Sequence, residues 1–241
     1  MFTFLFKGHV STCPIIDPAS LKQCHCQEKR YILTGILAVV TGVIESIAGL
    51  SKTSGSNGLT IDGIHGSFDG TGDFIGSYAE YRSKQNPHRA DEIRRNGNRV
   101  IGILLFLGGL WFAYEAIERT LAGYSPHPPS MLLYAGIALA TGIIRYAIIH
   151  GSPFKNETNR GQLYHAFGDV VISAGVVTAG LCAAYFDPFL ISWNVSLYLI
   201  DPKWSDQVVS LFSWVYVGLY IPQKLWRGVG HAHSHEGHHH D

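Results

Sequence analysis

Five stretches of this chain, residues 31–50, 100–117, 131–149, 163–186 and 208–221, are nearly continuous runs of apolar side chains, and residues 58–81 form a sixth that is less apolar. Runs of roughly 17 to 25 apolar residues match the thickness of a bilayer core. Within hydrocarbon each backbone polar group has to be satisfied inside its own segment, which leaves the helix as the form such runs take. Charged residues make up only 15% of the 241 residues, against about 25% in an ordinary soluble domain. The expected fold is therefore all-α, an integral membrane bundle of six transmembrane helices.

Charge sets the orientation. With six spans and a cytoplasmic N-terminus, 14 Lys and Arg residues fall in cytoplasmic segments, three (Lys52, Arg119, Lys203) fall outside, and Arg145 is left within a span. That bias places both termini in the cytoplasm. Eighteen basic residues balance 18 acidic ones, so nothing favours a nucleic-acid partner; the lipid bilayer is the partner implied. The first 30 residues lack the apolar core of a signal peptide. Cys13, Cys24, Cys26 and Cys182 are the only thiols and three of them lie near the N-terminus, so a disulfide framework is not expected.

The chain divides into a cytoplasmic N-terminal tail (1–30), a six-helix transmembrane domain (31–227) and a His-rich cytoplasmic tail (228–241). Turn formers in "SKTSGSNG" separate the first two helices. The basic stretch "RSKQNPHRADEIRRNGNR", residues 82–99, reads as a loop before a third helix near 99–119. Residues 187–204 are short for a span and read as an outer loop or re-entrant piece, and the last helix, 205–226, is expected to bend at Pro222.

Inside this apolar frame the second span carries Asp62, His65, Asp69 and Asp73, and the fifth carries His165 and Asp169. His65 and Asp69 are four residues apart, as are His165 and Asp169, so each pair projects from one face of its helix, one turn apart. An ionised carboxylate in hydrocarbon is costly, which turns both pairs inward toward a compensating cation. Two imidazoles and two carboxylates suit a tetrahedral divalent ion, Zn²⁺ before Cd²⁺ or Co²⁺, with Mg²⁺ and Ca²⁺ disfavoured. Asp73 and Asp62 are candidate accessory groups for metal or proton passage, with an outer-mouth position for Asp62. Glu45 is a third such candidate, and either it or Asp73 is expected to pair with Arg145. Gly63, Gly66, Gly70, Gly72 and Gly76 permit close helix contacts. In the tails, Cys24, His25 and Cys26, and His231, His233, His235, His238, His239 and His240, are candidates for metal capture.

The stretches "GLTIDGIHGSFDG", "YEAIERT" and "YHAFGDVVISAGVV", with Glu45 near the end of the first span, resemble the cation diffusion facilitator family of zinc transporters over about residues 31–227. The resemblance implies six membrane helices, binding of the transported ion by His65, Asp69, His165 and Asp169, a preference for Zn²⁺, exchange of metal for protons, and a homodimer. It implies no prosthetic group, the zinc being the substrate. Most members end in a ferredoxin-like cytoplasmic domain, which the sequence lacks after its last span, and eukaryotic members carry a His-rich loop between the fourth and fifth helices that is also missing. The function expected is proton-coupled efflux of divalent metal from the cytoplasm by alternating access, in a plasma membrane (the inner one in bacteria) rather than an organelle. The rival readings are a membrane-embedded metalloenzyme with an open coordination position and a metal-binding partner subunit that transports nothing.

Overall fold

The computed structural model describes residues 25–51, 56–121, 127–152, 156–186 and 204–227. Among these residues there are helices and no strand: α1 (Cys26–Leu50), α2 (Asn57–Gln85), α3 (Ala90–Leu121), α4 (Pro128–His150), α5 (Glu157–Leu181), α6 (Trp204–Ser213) and α7 (Ile221–Arg227). A π-helical turn, Cys182–Phe186, prolongs α5, and another, Trp214–Tyr220, joins α6 to α7. Segment 187–203 lies outside the described residues, as do Cys13, Cys24 and the His-rich tail.

Two boundaries differ from the sequence expectation. α1 starts at Cys26, ahead of the apolar run at Tyr31. More tellingly, most of the basic stretch 82–99 is helical, because α2 continues to Gln85, one 3-10 turn occupies Pro87–Arg89, and α3 begins at Ala90. Partners for the charges explain this. Lys84 Nζ reaches Glu28 Oε1 at 2.6 Å, Arg94 Nε reaches Glu80 Oε1 at 3.2 Å, and Arg89 Nε reaches Glu92 Oε2 at 2.9 Å. Asp91 and Glu92 also sit in the first turn of α3, where the helix dipole favours negative charge.

Among the described residues four helices, α1, the segment Pro87–Glu115, α4 and Glu157–Tyr185, are long and apolar enough to cross a membrane. The molecule is a membrane protein whose polarity is arranged inside out. Ile36, Val40, Ile47, Leu107, Trp111 and Ile143 are exposed, whereas Glu45, His65, Asp69, Asp73, Arg145 and His165 are buried. A broad exposed apolar surface of this kind suits lipid. α2 is less apolar because it carries the polar residues, and most of its length is sheathed by other helices.

α1, α2, α4 and α5 form the central cluster, with α3 and the α6–α7 segment packed alongside. The α1–α2 seam is backbone against backbone. A β-carbon at Gly42 would lie 2.4 Å from the Gly63 carbonyl oxygen, and one at Gly70 would lie 2.5 Å from that of Gly35. Only glycine permits that approach. An apolar core of Leu59, Ile101, Leu105, Met131, Ile172, Val176, Ile221 and Leu225 binds α2–α5 to α7.

The two ends of the bundle are tied differently. At one, Arg30 Nη1 donates to the Ile148 carbonyl at 3.1 Å, and Asn156 Nδ2 donates to Glu80 Oε1 at 2.7 Å. At the other, the Asp206 carboxylate accepts from Ser56 Oγ at 2.9 Å and from the amides of Asn57 and Gly58 at 2.8 and 3.0 Å. α2 thus begins on a cap assembled from two places in the chain, its own Ser56 Oγ accepting from the Leu59 amide at 3.0 Å and Asp206 taking the other free amides.

Candidate metal centre

α2 and α5 run antiparallel, and two contacts fix their register. Gln162 Nε2 donates to the Gly72 carbonyl at 2.9 Å, and Ser173 Oγ donates to Asp62 Oδ2 at 2.8 Å. Between these rungs positions 65–69 on α2 come to lie opposite 165–169 on α5. Glycine lets the helices close on one another there. A β-carbon at Gly76 would lie 2.5 Å from Gln162 Nε2, and one at Gly72 would lie 3.7 Å from His165 Cε1.

The two His/Asp pairs come together deep in the bundle. His65, Asp69 and His165 are at most 1% exposed and Asp169 is 6% exposed. His65 Nδ1 lies 3.3 Å from Asp69 Oδ1, His65 Nε2 lies 3.2 Å from Asp169 Oδ1, and His165 Nε2 lies 3.1 Å from Asp69 Oδ1. The imidazoles meet edge to face, with centroids 5.8 Å apart. One donor atom each from His65, Asp69 and Asp169 falls within 4.8 Å of the others. His165 stands beside this trio, against Asp69.

These contacts are close but poorly aligned. Asp69 Oδ1, Asp69 Oδ2, Asp169 Oδ1 and both ring nitrogens of His165 are buried without a hydrogen bond among the described residues. Buried polar atoms in this condition cost free energy unless something else satisfies them. Nitrogen and oxygen donors converging from two helices have the chemistry of a site for a borderline divalent cation such as Zn²⁺.

The remaining sequence candidates fall around this cluster. Asp73, one turn beyond Asp69, accepts from Arg145 Nη2 at 3.1 Å. Arg145 on α4 also bonds Asp169 through Nη1, and the same nitrogen is 3.9 Å from Asp69 Oδ2. The sequence signalled Arg145 as a cation stranded in an apolar run and allowed it Glu45 or Asp73. It did not signal the reach to Asp69 and Asp169. Glu45 and Asp62, with Arg145, Asp169 and Ser173, line a cavity of about 20 Å³ beside the cluster, room for about one water molecule. Gln162 and Ser173, which hold the helices in register, escaped the sequence reading, although both share a face of α5 with the His/Asp pair. In the N-terminal group, His25 Nδ1 lies 3.3 Å from Glu28 Oε1 at the start of α1, and Cys26 is in no disulfide among the described residues.

Comparison with known proteins bears on what this cluster is for. A family model described as the cation efflux transmembrane domain matches residues 31–217. The zinc transporter ZitB of Pectobacterium atrosepticum is 29% identical over 191 residues, covering 73% of this chain and 58% of that protein. The cadmium, cobalt and zinc/H(+)-K(+) antiporter of Bacillus velezensis is 32% identical over 94 residues, covering 36% of this chain and 28% of that one. The chain spans little more than half the length of the first of these relatives.

Proposed function

Since the chain belongs to the cation efflux family by a match over residues 31–217, we propose that it carries divalent metal cations, Zn²⁺ foremost and Cd²⁺ or Co²⁺ as competitors, out of the cytoplasm in exchange for protons. The ion is held within the membrane by His65, Asp69, Asp169 and His165. The observation that carries this reading is the meeting of the two His/Asp pairs, donor atoms of His65, Asp69 and Asp169 lying within 4.8 Å of one another. The names of the similar zinc transporter and of the cadmium, cobalt and zinc antiporter agree with it.

Transport follows from competition for the ligands. Each imidazole and each carboxylate binds metal only when deprotonated, so protons arriving from the more acidic side loosen the ion. Rocking of the helices about the site then exposes it to the two faces of the membrane in turn. We further assign six passes with both termini cytoplasmic, and assembly as a homodimer in a bacterial inner or other plasma membrane. Proteoliposomes containing the intact chain should accumulate Zn²⁺ when an inward-acid pH gradient is imposed, and those containing Asp169→Ala should not. Equal uptake by the two would end the assignment of the site.

A further inference from the structure

Arg145 lies on α4, outside both His/Asp pairs, yet its guanidinium bonds Asp169, reaches Asp73 at 3.1 Å and stands 3.9 Å from Asp69 Oδ2. It is 3% exposed, and Asp69 and Asp73 are fully buried. Arg145 therefore has little access to solvent, and it has placed its charge among the same oxygens that a divalent ion would require. We infer that Arg145 is a tethered counter-ion of the transport site, pivoting on Asp73 and releasing Asp169 when a divalent cation binds.

The charges support this. The three carboxylates facing Arg145, those of Asp73, Asp169 and Asp69, carry more negative charge than one guanidinium balances, which leaves a place for the charge of a divalent ion. A guanidinium stays protonated under all working conditions, so it cannot be neutralised in place; it can only change partners. Asp73 is the natural pivot, since its Oδ2 accepts from Nη2 while Asp169 accepts from Nη1, so one contact can open while the other holds. A cation that competes from inside the protein lowers affinity for the ion and speeds its departure, which a transporter needs from a buried site.

This inference rests on the reading of His65, Asp69, His165 and Asp169 as the ion's ligands, and one experiment separates the two. Zinc affinity is measured by titration calorimetry on the purified full chain in detergent, for the parent, Arg145→Gln, Asp73→Asn, the double variant and Asp169→Ala. Arg145→Gln should bind zinc more tightly by about tenfold or more, the factor that a charge-assisted contact of usual strength represents, and should release it more slowly in vesicle flux. Asp73→Asn should weaken binding in the parent, by freeing Arg145 to hold Asp169 harder, and should have no such effect once Arg145 is Gln. Arg145→Lys, which keeps the charge, should fold if Arg145→Gln does not, and should bind zinc within a few-fold of the parent. Unchanged or weaker binding in a folded Arg145→Gln, tenfold tighter binding in Arg145→Lys, or an equal Asp73→Asn effect in both backgrounds overturns the inference. Full zinc affinity in Asp169→Ala overturns the site itself, and the inference with it.

Discussion

Asp62 and Asp69 stand two turns apart on one helix and do different things. Asp62 accepts from Ser173 Oγ at 2.8 Å, whereas Asp69 Oδ1 has an imidazole nitrogen from each of two helices within 3.3 Å and no hydrogen bond of its own among the described residues. Loss of a supporting group outside the ligand shell typically costs a metal site about 10- to 100-fold in affinity. Asp62→Asn should therefore weaken zinc binding by no more than about 100-fold, and Asp69→Asn by more than the whole of that range. Calorimetry on the two variants, each checked for an unchanged helical spectrum, decides it; comparable losses would make Asp69 a supporting residue. The His/Asp pairs were legible in the sequence because a spacing of four is a statement about one helix, and a buried carboxylate demands a partner. For Arg145 the sequence offered Asp73 as one of two partners, but it did not offer Asp169, 24 positions away on another helix, because spacing says nothing about partners on other helices.

Among the elements, α2 is the one the others are built around. Its seam with α1 leaves no room for a side chain at Gly42 or Gly63, where an added β-carbon would lie 2.4 and 2.3 Å from backbone of the other helix. Gly42→Leu should separate the pair and abolish both folding and zinc binding, read as a loss of monodisperse protein in detergent, while Gly136→Leu, where a β-carbon meets nothing within 4 Å, should be tolerated. The cap is a second dependence. Asp206→Ala strips the carboxylate that receives the Asn57 and Gly58 amides and Ser56 Oγ, at a cost of about 2–3 kcal/mol for hydrogen bonds to a charged group. Its thermal midpoint should fall clearly below that of the parent; an equal midpoint would show that α2 starts without it. Helix extents were less legible than the site, for a physical reason. A basic stretch reads as a loop when its charges are assumed to face water, but Lys84 and Arg94 are neutralised by Glu28 and Glu80 of packed helices. The less apolar α2 likewise hides its nature, because it is judged by what it carries and not by the helices around it.

For the molecule as a whole, the polar interior and apolar exterior require a lipid setting, and the two tied ends give it two sides. The ties Arg30–Ile148 and Glu80–Asn156 bring residues 86–89, 151–152 and 156 to one end, and the Ser56–Asp206 tie lies at the other. In a variant without its four cysteines, new thiols at His88 and Gly151 should react with an impermeant reagent from one face of the membrane, and thiols at Ser51 and His127 from the opposite face. Labelling of positions 51 and 88 from a single side would refute the proposed passes. The Asp206 clasp also bears on how the bundle comes into being. The helix bearing His65 and Asp69 waits for a carboxylate 149 positions downstream of Asn57 to finish its first turn. A chain synthesised from its N-terminus therefore has most of its membrane segments made before that turn is sealed.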